Sequence, residues 1–290
     1  MKPILEHLIQ LLSLERLDTN LFRGQSQDIG TNRVFGGQVL GQALAAASYT
    51  VDQGVAHSLH GYFLRKGDHT KPIIFEVDRQ RDGRTFTSRR VVAIQNGNPI
   101  LNLAASFQKP EEGLEHQNNM PHVPAPEALK DVTEYRQRLI DSHPEAKLPR
   151  YLLHERAFEF RPVQLPAFID SEPREPRANI WFKAIDRVPD DEDLHRNMLA
   201  YVSDYYLIAT ATRPHGFTVF SKNLQLASLD HAMWFQRPFR IDEWLLYSIE
   251  SPSASGARGL SRGLIYRQDG TLVAVVAQEG VMRVWPEARD

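Results

Sequence analysis

The chain has 290 residues, 42% hydrophobic and 24% charged, a globular profile far from that of a disordered chain. A formal net charge of -2 gives no bulk electrostatic basis for binding nucleic acid. The absence of cysteine removes disulfides, zinc–thiolate sites and cysteine nucleophiles together.

Residues Met1 to Leu14 carry Glu6 and His7 within an apolar pattern and lack a small-residue cleavage site. They read as an amphipathic helix and not as a signal peptide. Pro286 to Asp290 do not form a peroxisomal address, so a cytoplasmic protein without a membrane span is the default expectation. Leu21 to Gly24 reads as a short strand. Val34 to Ala47 reads as a helix that opens on Gly36 and Gly37 and is rich in small residues. Such residues let a helix axis sit close to a sheet, and close packing is the preferred reading of the glycines. Free amides at the helix start also favour an anion or a developing oxyanion. No Lys-Ser or Lys-Thr follows the glycines, which excludes a phosphate loop.

From His57 to Gln108 the pattern turns to strands: Tyr62–Leu64, Ile73–Val77, Phe86–Ile94 and Ile100–Phe107. Asp82-Gly83 and Asn96-Gly97 are hairpin turn pairs between them. Lys109 to about Leu148 is rich in proline and charge, and only Glu127 to Asp141 has a helical pattern. It reads as an interdomain connection containing one helix. The division expected is 1–108, a linker over 109–150, and 151–290.

The first pattern then returns. Phe158–Phe160 and Ile180–Ile185 read as strands, and Asn197 to Thr212 as one helix without proline or glycine. That helix is apolar nearly all round, so it belongs in an interior. Its one charge, Asp204, is costly there unless hydrogen-bonded, paired or protonated. Strand runs follow at Leu226–Phe235, Trp244–Ile249, Gly259–Tyr266 and Thr271–Gln278. His60–Leu64 matches His231–Phe235, and Ile94–Gly97 matches Arg267–Gly270, at offsets of 171 (231 minus 60) and 173 (270 minus 97). The chain therefore reads as α+β: two tandem copies of a long helix packed on an antiparallel sheet.

Gly259-Leu260-Ser261-Arg262-Gly263 fits the G-x-S-x-G pattern of a serine-hydrolase elbow. The elbow needs a helix after the serine, whereas Leu264–Tyr266 continues as strand, so the match is assigned to chance. His57 and His60 lack metal-ligand spacing, and no metal site is expected. His60 and His231 are assigned structural hydrogen bonds. Asp204 shares its repeat with Ser228 and Gln278, two polar residues on otherwise apolar strands, and a helix packed on its own sheet could join the three around a water.

Arg33–Val39, His60–Arg65, Leu229–Phe235, Ser253–Gly259 and Gln278–Arg283 resemble the type II acyl-CoA thioesterases, and the likeness covers nearly the whole chain. The resemblance implies a double-hotdog fold, each half a long helix swaddled by a curved antiparallel sheet. It also implies hydrolysis of acyl-CoA to fatty acid and coenzyme A with neither metal nor cofactor, and a homo-oligomer. The family's Asp, Thr and Gln trio falls on Asp204, Ser228 and Gln278. The serine keeps the hydroxyl and loses the methyl, which loosens its rotamer. Only Asp204 can accept a proton near neutral pH, so it is the expected base, with Ser228 and Gln278 orienting the water. The amides near Gly37 and Gln38 are the expected carbonyl contacts, which makes the site composite between halves. The offsets set His57 near the Ser228 position and Ala105 at the Gln278 position, so one site per chain is expected. The rival expectations are a non-catalytic acyl-CoA-binding regulator, which needs no buried base, and a hotdog enoyl-CoA hydratase, which needs an acid/base pair such as Asp with His.

Overall fold

The computed structural model describes residues 1–145, 148–166, 172–217 and 221–286. Helix α1 (Pro3–Leu12) forms because Leu5, Leu8, Leu11 and Leu12 share one face, and all four are buried. Strands β1 (Glu15–Asp18) and β2 (Leu21–Gly24) precede α2 (Gly36–Ser48), which is buried from Gly37 onward. A meander follows: β3 (Val55–Phe63), β4 (Ile73–Asp82), β5 (Phe86–Gln95) and β6 (Asn98–Gln108). Asn96 and Gly97 turn β5 into β6 with φ of +50° and +73°, the left-handed pair a two-residue hairpin demands.

The connection runs extended against the second half before it becomes helical. Gln117 accepts from the Leu272 amide and donates to the Gly270 carbonyl, and Trp181 Nε1 donates to the Pro124 carbonyl. Helix α3 (Val132–Ser142) starts later than Glu127 because Asp131 caps it: its carboxylate accepts from Thr133 N–H while Glu134 accepts from Asp131 N–H. After the short α4 (Arg150–Leu153) come β7 (Phe158–Pro162), β8 (Arg177–Ala184), α5 (Glu192–Ser203) and α6 (Leu207–Thr212). Strands β9 (Leu224–Ser228), β10 (Asp230–Phe235), β11 (Leu245–Ser255), β12 (Arg258–Arg267) and β13 (Leu272–Val284) complete the described chain.

All the strands join one antiparallel sheet in the order β1-β2-β4-β5-β6-β3-β10-β13-β12-β11-β8-β7, with β9 also on β13. The two halves meet along β3 and β10, from Tyr62↔Asp230 to Ser58↔Trp234. Outward from this seam each half repeats the same order, and α2 and α5 pack side by side within the sheet. This is the double hotdog. Gly37 and Gly41 of α2 face the other helix: a Cβ on Gly37 would overlap the Tyr201 carbonyl oxygen, and one on Gly41 would lie 2.8 Å from the Asn197 carbonyl oxygen. No described helix is long and apolar enough to cross a membrane.

Register corrects the repeat in detail. Leu59 pairs with Ala105, and one step beyond Ala232↔Ala277 His231 faces Gln278. Leu59, and not His60, is therefore the counterpart of His231. Burial agrees: Leu59 and His231 are wholly buried, whereas His60 is exposed and stands edge-on to Trp234. The register shift after Ala56 in β3 corresponds to the interruption at Leu229 between β9 and β10. Ala56 thus takes the Ser228 position, and His57, bonded to Ser106, takes that of Leu229.

Candidate active site

The helix expected over Asn197–Thr212 is two helices, and the break falls on the carboxylate. Asp204 is the C-cap of α5, and Tyr206, at φ +68°, turns the chain into α6. A carboxylate is poorly placed at the negative end of its own helix. It is held there by the start of α2, where Gly37 N–H donates to Asp204 Oδ2 at 2.9 Å. Phe35, the N-cap of α2, makes no side-chain cap, so the carboxylate from the second half caps the helix of the first. Gly36 is required beside it, because a Cβ there would lie 2.6 Å from Asp204 Oδ2.

The other carboxylate oxygen faces the sheet. Gln278 Nε2 donates to Asp204 Oδ1 at 2.6 Å, and Ser228 Oγ lies 3.4 Å from the same atom. The three side chains proposed from the sequence are thus brought together. Asp204 is 9% exposed and Gln278 1%, while Ser228 is half-buried and marks the side open to solvent. Three donors satisfy a charge that burial would otherwise make costly. Gln38 is engaged elsewhere: its N–H donates to the Phe35 carbonyl, its Nε2 to the Gln25 carbonyl and Gln42 Oε1, and its Oε1 accepts from Gln27 N–H. It ties the Gln25–Gln27 segment to α2.

Two residues extend this network. Gln278 Nε2 also contacts His231 Nδ1 at 3.1 Å, and His231 Nε2 lies 2.9 Å from Ser203 Oγ, which donates to the Ala200 carbonyl. Since Gln278 donates to Nδ1, the imidazole carries its proton on Nε2 and donates to Ser203. Burial pushes His231 down to about 4, against the opposing pull of Asp204. A neutral ring with both nitrogens engaged is not available as the acid of a hydratase. His231 was legible as a hydrogen-bonding residue; Ser203 was not, because nothing local distinguishes it from a helix-terminal serine.

The depressed His231 pKa has a consequence for stability. Unfolding returns the ring to its ordinary value of 6.5, so below that pH the unfolded chain binds a proton that the folded chain refuses. Its contribution is complete above pH 6.5 and is lost as pH falls toward about 4. His231→Asn, which keeps an acceptor near Nδ1, should make the denaturation midpoint less pH-dependent across that window. Equal slopes for both proteins would show that another group sets the acid limb.

Residues 152–281 match the model of the acyl-CoA thioesterase family, and residues 23–108 match that of the acyl-CoA thioesterase N-terminal domain. Acyl-CoA thioesterase 2 of Haemophilus influenzae is 43% identical over 284 residues, spanning 98% of this chain and 99% of the relative. Human acyl-coenzyme A thioesterase 8 is 42% identical over 288 residues, spanning 97% and 90%. The crystal structure of an acyl-CoA thioesterase II from Mycobacterium marinum superposes with a TM-score of 0.78 at 40% identity, covering 96% of this chain and 99% of that one. The chain therefore belongs to the type II acyl-CoA thioesterases, hydrolases of the thioester bond.

Proposed function

We propose that the chain hydrolyses fatty acyl-CoA by a water that Asp204 deprotonates and that Ser228 and Gln278 hold. The observation that carries this reading is the convergence on one buried carboxylate of donors from both halves: Gly37 N–H, Gln278 Nε2 and, more loosely, Ser228 Oγ. Asp204 takes a proton from water, and the remaining hydroxide adds to the thioester carbon. The tetrahedral intermediate expels the coenzyme A thiolate, which takes that proton back from Asp204. Fatty acid and free thiol result, and no covalent acyl-enzyme is needed.

At 3.4 Å the Ser228 hydroxyl donates only loosely to the carboxylate, and its oxygen keeps lone pairs that can accept from the water. Gly37 is the donor we assign to the carbonyl oxygen, its N–H shared between Asp204 and the oxyanion as charge moves from one to the other. Gln38 supports it by fixing the start of α2. The test is release of free thiol from an acyl-CoA chain-length series by wild type, Ser228→Ala and Ser228→Thr. Ser228→Ala should lower kcat by about tenfold, the scale of one hydrogen bond to the reacting water. Ser228→Thr keeps the hydroxyl and should stay within about threefold of wild type. Full activity in Ser228→Ala removes the serine from the site, and acyl-CoA bound without thiol release by wild type favours the regulator.

A further inference from the structure

The serine of the G-x-S-x-G match is buried on the strand next to Gln278. Ser261 lies mid-strand in β12 directly opposite Gln278 in β13, and both face the interior, 0% and 1% exposed. The motif's glycines serve packing: a Cβ on Gly259 would lie 2.7 Å from Ala211 Cβ, and one on Gly263 would overlap the Tyr247 ring. Tyr247 in turn donates to the Ser203 carbonyl at the end of α5.

Gln278 commits both Nε2 protons, one to Asp204 Oδ1 and one to His231 Nδ1. Its Oε1 is buried without a partner, and so is the Oγ of Ser261. An amide oxygen only accepts and a hydroxyl can donate, so the two orphans are complementary. Opposed side chains on antiparallel strands have Cβ atoms about 4.5–5.5 Å apart, within reach of a rotated hydroxyl or of one shared water. A flipped Gln278 carboxamide would set its oxygen against the Asp204 carboxylate and withdraw the strongest donor from it. In the first half Arg89 pairs with Ala105 at the equivalent position, where it reaches Thr50 beyond the end of α2. Ser261 is too short for such a contact and stays beside its strand neighbour.

We propose that Ser261 is a positioning residue: its hydroxyl donates to Gln278 Oε1, directly or through one water, and holds the carboxamide with Nε2 turned toward Asp204. The proposal rests on the reading of Gln278 as part of the reacting site, so its test must separate the two. Thiol release is measured for wild type, Ser261→Ala, Ser261→Thr, Gln278→Ala and the Ser261→Ala/Gln278→Ala double variant. Ser261→Ala should lower kcat by about tenfold with KM within about twofold, and Ser261→Thr should recover most of the loss. The double variant should be no slower than Gln278→Ala, because a residue that acts through Gln278 has nothing to act on once it is gone. A multiplicative further loss in the double variant, or an unchanged kcat in Ser261→Ala, overturns the proposal. Wild-type kcat in Gln278→Ala overturns the reading of Gln278 itself, and the positioning role with it.

Discussion

Asp204→Asn should lower kcat for acyl-CoA hydrolysis by about a thousandfold, within the range that general-base catalysis supplies. The substitution removes the proton acceptor and leaves the volume unchanged. It also turns an amide NH2 toward one of two donors, Gly37 N–H or Gln278 Nε2, which converge on the carboxylate in the wild-type chain. One of those donors must lose its acceptor, so stability should fall by about 1 to 2 kcal/mol while the fold persists. Thiol release across acyl-CoA chain lengths, with circular dichroism and thermal melting of the same samples, measures both effects. A folded Asp204→Asn variant that turns over at near-normal rate would sink the assignment of the base.

The second large effect is on stability. Gly37→Ala should destabilise the chain by at least about 3 kcal/mol, the upper range for forced overpacking. Helix propensity alone predicts the opposite sign, since glycine to alanine within a helix gains about 1 kcal/mol. Contact decides it. The added methyl overlaps the Tyr201 carbonyl oxygen, a backbone atom that cannot rotate aside, and the Phe35 ring closes the other side, its Cζ 2.9 Å away. Relief would require α2 and α5 to part at the point where Gly37 N–H reaches Asp204. Gly113→Ala is the control, because nothing lies within 4 Å of a Cβ there, and its effect should stay within about 0.5 kcal/mol. Urea midpoints that coincide for the two variants would show that the helices are not in contact at Gly37.

The repeated helix-and-meander architecture was legible because its signals are local. Alternating apolar residues mark β5 and β6, and Asn96-Gly97 marks their turn. The break in the helix at Asp204 was not legible. Residues Asn197 to Thr212 contain neither glycine nor proline, and a non-glycine residue, Tyr206, adopts the left-handed conformation. What stops α5 is tertiary: the carboxylate is bound by an amide 167 residues away in the chain, and Tyr247 takes the Ser203 carbonyl. The same limit explains the histidine mismatch. His60 and His231 look alike in sequence, but a strand has a period of two, so an error of one residue sends the ring to the opposite face. Residue types pointed to Asp204, Ser228 and Gln278; the contact of Gln278 with His231 and its place opposite Ser261 became visible only with the strands in register.

The seam between β3 and β10 gives this chain a freedom that a pair of identical single-copy subunits lacks. In such a pair every substitution appears twice, and a change that suits one face is imposed on the other. Two halves in one chain are free of that obligation. The second half carries His231, Gln278 and Ser261 on neighbouring strands where the first carries Leu59, Ala105 and Arg89. The first copy lends the second the amide of Gly37, and a substitution at Leu59 or Ala105 would alter its own face without touching the opposite one. Asymmetry of this kind is open to a single two-copy chain and closed to a pair of identical subunits.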